Sequence, residues 1–233
     1  MKSSIPVPLL AAIAAVSLFA SNTHSHAATI VGVDSGAPWL GFMNVSELPT
    51  NGGAYVFGQP WGVADLCATF SGTTLTLTPN SVNDPVAFWY TPSGGPGAMG
   101  NKIMEANMYV ESSLLGGQDI TFTGNVLANT LVSPYTSVAF IKDFAPDYSS
   151  FVGITAPLVN GVFSITLATI NDPARHVQYG FQTVGPDVWI TDVGPKGFVQ
   201  IAPVPEPSSA CLALGALMSL ALVRREHESQ KSI

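Results

Sequence analysis

From Lys102 to Glu111 the chain reads Lys-Ile-Met-Glu-Ala-Asn-Met-Tyr-Val-Glu, with Glu105, Asn107, Tyr109 and Glu111 at every second position. In an extended chain such residues share one face. An aromatic ring, an acceptor and an amide are what a sugar ring needs: its C–H face stacks on the ring, and its hydroxyls bond the polar groups. Glu105 and Glu111 could also pair as the two acids of a glycosidase, or simply sit solvated on a water-facing strand. A second possible sugar site lies at a loop end, where Trp61 and Asp65 fall close together. Asp143 and Asp147, in Lys142–Ser150, are candidates for a structural calcium site completed by loop carbonyls, or for ordinary turn residues.

Other chemistries lack parts. His176 is the one histidine between Ala28 and Pro203, so a Ser-His-Asp triad would have to use it, and no G-x-S-x-G turn accompanies it. One histidine and one cysteine in that stretch cannot build a zinc site. Cys67 is the lone thiol of the stretch, which excludes an internal disulfide there, and it reads as a small buried hydrophobe.

These residues need strands to hold them. Short alternating runs punctuated by Gly, Pro, Asn and Asp predict strands over Ala54–Phe57, Val63–Phe70, Thr73–Thr78, Val86–Thr91, Lys102–Glu111, Asp119–Thr130, Ser137–Phe144, Ser150–Thr155, Gly161–Thr169, His176–Val184, Val188–Thr191 and Phe198–Ile201. Met104, Ala106, Met108 and Val110 form an apolar face opposite Glu105, Asn107 and Tyr109. Phe163, Ile165 and Leu167 form another, and such one-sided strands belong to antiparallel sheets that pack in pairs. The expected fold is therefore all-β, an antiparallel jelly-roll-like β-sandwich of roughly ten strands, similar in shape to carbohydrate-binding modules. Val45–Leu48 is the single short helical candidate. Thr91–Gly100, rich in Gly and Pro, reads as a surface loop whose segment Gly94–Gly100 could close over a ligand on the Tyr109 face.

The ends carry a different kind of information. Met1–Ala27 has a basic start, an apolar stretch and a small-x-small site at Ser25-His26-Ala27, the pattern of a cleaved secretory signal. The body, 28–203, holds four basic and twelve acidic residues, a balance of −8. With no basic stripe, nucleic acid is excluded as a partner. At the other end stand Val204-Pro205-Glu206-Pro207-Ser208, an apolar run over Ala210–Val223, then Arg224-Arg225. The two prolines hold the handle extended, and the arginines would stop transfer with the body outside.

This three-part tail resembles the PEP-CTERM sorting signal. The resemblance covers 204–233: a motif over 204–209, a membrane helix over 210–223 and a basic-start cytoplasmic tail over 224–233. It implies a bacterial protein handled by an exosortase-type enzyme, anchored transiently in the inner membrane, then passed to the cell surface or matrix. The expectation is an exported surface or matrix protein without catalytic activity or required cofactor, with extracellular polysaccharide as its ligand. The alternative is a secreted polysaccharide hydrolase on the same scaffold.

Overall fold

The computed structural model describes residues 28–205. The stretch 1–27 expected to be a signal peptide, Glu206, Pro207, the apolar run 210–223 and Arg224-Arg225 lie outside the described residues. Among the described residues no helix is long and apolar enough to cross a membrane.

The chain is all-β. Its strands are β1 (Thr29–Val31), β2 (Leu40–Glu47), β3 (Tyr55–Pro60), β4 (Ala68–Ser71), β5 (Thr74–Leu77), β6 (Tyr90–Thr91), β7 (Met99–Gly100), β8 (Lys102–Ser112), β9 (Asp119–Asn129), β10 (Thr136–Phe144), β11 (Phe151–Pro157), β12 (Gly161–Ala168), β13 (His176–Pro186) and β14 (Val199–Ala202). The helical segments among the described residues are 3-10 turns of three residues each.

Two six-stranded sheets form. In the first, β9 pairs β12 along one edge and β1 and β14 along the other, and β14 leads on to β5 and β4. The second runs β11-β10-β13-β8-β2-β3. All pairings are antiparallel except β1 with β9.

The inner faces close on one another through a single apolar cluster. Met104, Ala106, Met108 and Val110 of β8 point into it, as do Phe163 and Ile165 of β12. Phe122 of β9 bridges the sheets, its ring 5.2 Å from those of both Tyr179 and Phe181 of β13. Trp39 closes one side against Phe70, Tyr179 and Phe181.

Four local expectations are corrected. Val45 belongs to β2, buried against β8, because it and its period-two partner Met43 face the core while Phe42, Asn44 and Ser46 face out. Val63–Phe70 begins with a 3-10 turn (Ala64–Leu66), and Cys67 takes a left-handed φ of 59° before the chain straightens into β4. Val86–Trp89 is a turn, with Trp89 N–H donating to Val86 O; only Tyr90–Thr91 is strand. Val188–Thr191 runs into a 3-10 turn, Ile190–Asp192, instead of a strand.

Candidate functional site

The outer face of the second sheet carries the first candidate. Register fixes its rows. Lys142 of β10 stands beside Gln178 of β13, and Gln178 beside Glu111 of β8. The next row is Phe140, Gly180, Tyr109 and Leu40; then come Val138, Gln182, Asn107, Phe42 and Pro60; then Glu105 beside Asn44. Gly180 stands between Phe140 and Tyr109 where the backbone of Met108 and Tyr109 comes too close for a side chain, so only glycine fits there.

Of these, Asn44, Asn107, Tyr109, Glu111, Lys142 and Gln178 border a cleft of about 610 Å³, with Glu105 and Gln182 beside it on the same face. Its floor is polar and tied together. Asn44 Nδ2 donates to Glu105 Oε1 at 2.9 Å, Asn107 Nδ2 to the same oxygen at 3.2 Å, and Gln182 Nε2 to Asn107 Oδ1 at 2.9 Å. Glu111 is the second hub. It accepts from Gln178 Nε2 at 2.7 Å and from the Tyr148 hydroxyl at 3.1 Å, with His176 Nδ1 3.3 Å away. Asn107 and Gln178 are only 6% and 7% exposed although they lie on an outer sheet face. Their neighbours cover them, and buried amides hold their orientation because an unpaired one is expensive.

Aromatic side chains rise around this floor. Phe42, Tyr55, Tyr109, Phe144 and Tyr148 all border the cleft. Tyr148 sits in the turn between β10 and β11 with a left-handed φ of 57°. Its ring lies stacked on His176, 4.3 Å between centroids, and its hydroxyl reaches Glu111. These contacts hold a backbone conformation that non-glycine residues rarely adopt. Burial, and secondarily the Glu111 charge, raises the Tyr109 hydroxyl above its usual value. Burial first, then the bond to Glu111, pushes Tyr148 up to about 12. Both phenols are therefore neutral donors at ordinary pH.

Glu105, Asn107 and Tyr109 thus share one face, as their spacing predicts; Asn107 and Tyr109 border the cleft, and Glu105 lies beside it, bonded to Asn44 and Asn107. The loop Gly94–Gly100 does not border that cleft. Its base is the β6–β7 hairpin, Gly94 N–H donates to Pro85 O, and Gly97 N–H donates to Asp192 Oδ2 at 2.6 Å. The loop is thereby held against Trp189 and Asp192, where it borders a different cavity with Asp187 and Tyr135. The turn carrying Tyr148 rims the cleft in its place.

Trp61 and Asp65 border a separate cavity of about 740 Å³, with Gly62, Cys67, Ser81 and Ile190. Pro60 borders both cavities. Burial is the main cause that raises the Cys67 thiol above its usual value, and the Asp65 charge adds to it. A thiol held protonated is a poor nucleophile.

The two aspartates considered for calcium do different work. Asp143 is not a loop residue. It points inward from β10, fully buried, and its carboxylate is taken by Arg175 Nε and Ile170 N–H, both at 2.7 Å. Asp147 Oδ1 accepts from Ser149 N–H and Oγ, which makes it a turn residue, and those bonds lower its pKa. Among the described residues no cluster of three or more His, Cys, Asp or Glu is placed to hold a metal ion.

Spacing along β8 could not reveal Asn44, Gln178, Lys142 or Tyr148, which register brings in from other strands. No protein-family model, no curated protein and no solved structure matches the chain.

Proposed function

We propose that the protein is an exported, non-catalytic glycan-binding protein of the cell surface or matrix, which takes a polysaccharide across the outer face of its second sheet. The observation that supports this most is the cleft floor. Glu111, Asn44, Asn107 and Gln178 line it in fixed orientations, held by one another and by Glu105 and Gln182 alongside, among rings that offer flat apolar faces. A sugar ring is itself amphipathic, with apolar C–H faces and a rim of hydroxyls, and this surface mirrors it. Glu105 and Glu111 serve as orienting acceptors, each already bonded to amide donors, which favours binding over hydrolysis.

The chain's repeated crossing between the sheets (β8 to β9, β9 to β10, β11 to β12, β12 to β13, β13 to β14) supports a jelly-roll-like reading of the sandwich. The PEP-CTERM-like tail, with Val204 and Pro205 just beyond β14, supports export, exosortase-type processing near Glu206 and delivery to a polysaccharide-rich exterior.

The test is a glycan panel on the purified protein, then titration of the retained glycan against two variants. Tyr109→Ala should weaken binding at least tenfold, a loss of about 1.4 kcal/mol. Trp61→Ala should leave affinity unchanged. The opposite pattern moves the site to the Trp61–Asp65 cavity, and turnover of the glycan that Glu105→Gln abolishes replaces the binding reading with a hydrolase.

A further inference from the structure

We propose that the saccharide taken by this cleft is acidic, and that Lys142 reads the carboxylate of a uronic acid unit. The inference rests on the glycan-binding reading above and specifies its ligand class.

The charges in and beside the cleft are not equivalent. Glu105 is held by two amides, and Glu111 by an amide and a phenol with an imidazole beside it. Lys142 has none of this. Among the described residues its ammonium donates to no acceptor, and no carboxylate lies within ion-pair distance. It is seated instead over aromatic rings, 4.4 Å from the centroid of Phe140 and 5.5 Å from that of Phe151. Those rings steady a cation but leave its N–H groups unused. Partial burial lowers the Lys142 pKa, with Glu105 opposing, as expected for an ammonium stripped of water without a partner.

Position supplies the rest. Lys142 borders the same cleft as Tyr109 and stands one strand from Gln178. A pyranose stacked on Tyr109 can thus turn a ring substituent toward Lys142 while its hydroxyls meet the amide floor. Glu111 in the cleft and Glu105 beside it disfavour a dianion, and the lining holds a single lysine with no arginine fork, so a phosphate is poorly matched. One ammonium suits one singly charged group.

The experiment uses polyglucuronate, polygalacturonate and alginate oligosaccharides, each in native form and after reduction of its carboxyls to neutral hydroxymethyl groups, titrated calorimetrically at pH 7. At least one native form is expected to bind tenfold or more tighter than its reduced form. Lys142→Met should erase that difference, Lys142→Arg should keep most of it, and Tyr109→Ala should weaken both forms; melting temperatures check that each variant folds. Reduced forms that bind as tightly as native ones, or a preference that survives in Lys142→Met, overturn the inference. Neutral glycans that bind as tightly as the native acidic ones, and still depend on Tyr109, overturn the acidic ligand alone and leave the cleft as the site. Failure of every glycan, acidic or neutral, overturns both.

Discussion

Replacing Arg175 with methionine is expected to lower stability by about 3–5 kcal/mol, the usual consequence of leaving a buried charge without its partner. Asp143 is fully buried on the inner face of β10, and Arg175 is 12% exposed at its side chain. The guanidinium bonds both the carboxylate, through Nε, and the Asp143 carbonyl, through Nη2, each at 2.7 Å. Methionine keeps the apolar stem and removes both bonds, so Ile170 N–H remains as the carboxylate's donor. The loss should show as a lower urea midpoint with an unchanged slope. The double variant Arg175→Met, Asp143→Asn should recover part of it, because an amide carries no charge to strand. A single variant within 1 kcal/mol of wild type would mean that water reaches Asp143. The pair matters for the cleft as well: Asp143 lies between Lys142 and Phe144, and Arg175 directly precedes His176, so it fixes the ends of the two strands that carry them.

The second large effect depends on pH. Asp187 is 2% exposed just past the end of β13, and its Oδ2 has no hydrogen-bond partner among the described residues. Its Oδ1 accepts from Lys102 N–H at 3.1 Å. Burial outweighs that bond and the other backbone donors and raises the carboxyl from 3.8 to about 6. A raised carboxyl means that the folded state holds the proton more tightly than the unfolded chain does. The associated stability is complete below pH 3.8 and drains away as the pH rises to about 6. The displacement is worth about 3 kcal/mol. In Asp187→Asn this loss disappears. Wild-type stability should therefore fall by about 3 kcal/mol relative to the variant between pH 3.5 and pH 7. Equal pH profiles from urea melts would show that Asp187 is solvated or paired in solution.

What was legible in the sequence follows from how far apart the deciding residues lie. The two faces of β8 were readable because alternation within one strand is a local property, and Met104 and Met108 need no partner to reveal an inward side. The rest of the cleft is non-local. Asn44 meets Glu105 across 61 residues and Gln178 meets Glu111 across 67. Pairing register at that distance is set by packing between strands, which no spacing encodes. Asp143 lies where the predicted strand Ser137–Phe144 overlaps Lys-Asp-Phe-Ala-Pro-Asp, which looks like loop chemistry; β10 does extend through Phe144, and the aspartate is buried because Arg175 arrives from the β12–β13 connection. Val86–Trp89 alternates like a strand, but it closes a turn that leads into Tyr90, whose hydroxyl bonds Val82 O and Val188 O. Gly94–Gly100 was free to be imagined near Tyr109 because nothing local shows that Asp192, 95 residues beyond Gly97, ties it elsewhere.

The most direct measurement of the central claim maps the bound glycan without altering a residue: backbone amide chemical shifts of the labelled protein, recorded through a titration with the glycan retained from the panel. The account predicts that the largest shifts fall at Glu105–Glu111 of β8, at Gln178–Gln182 of β13 and at Tyr148. Shifts confined to Trp61–Cys67 and Ser81–Asn83, with the outer face of the second sheet unmoved, would contradict it.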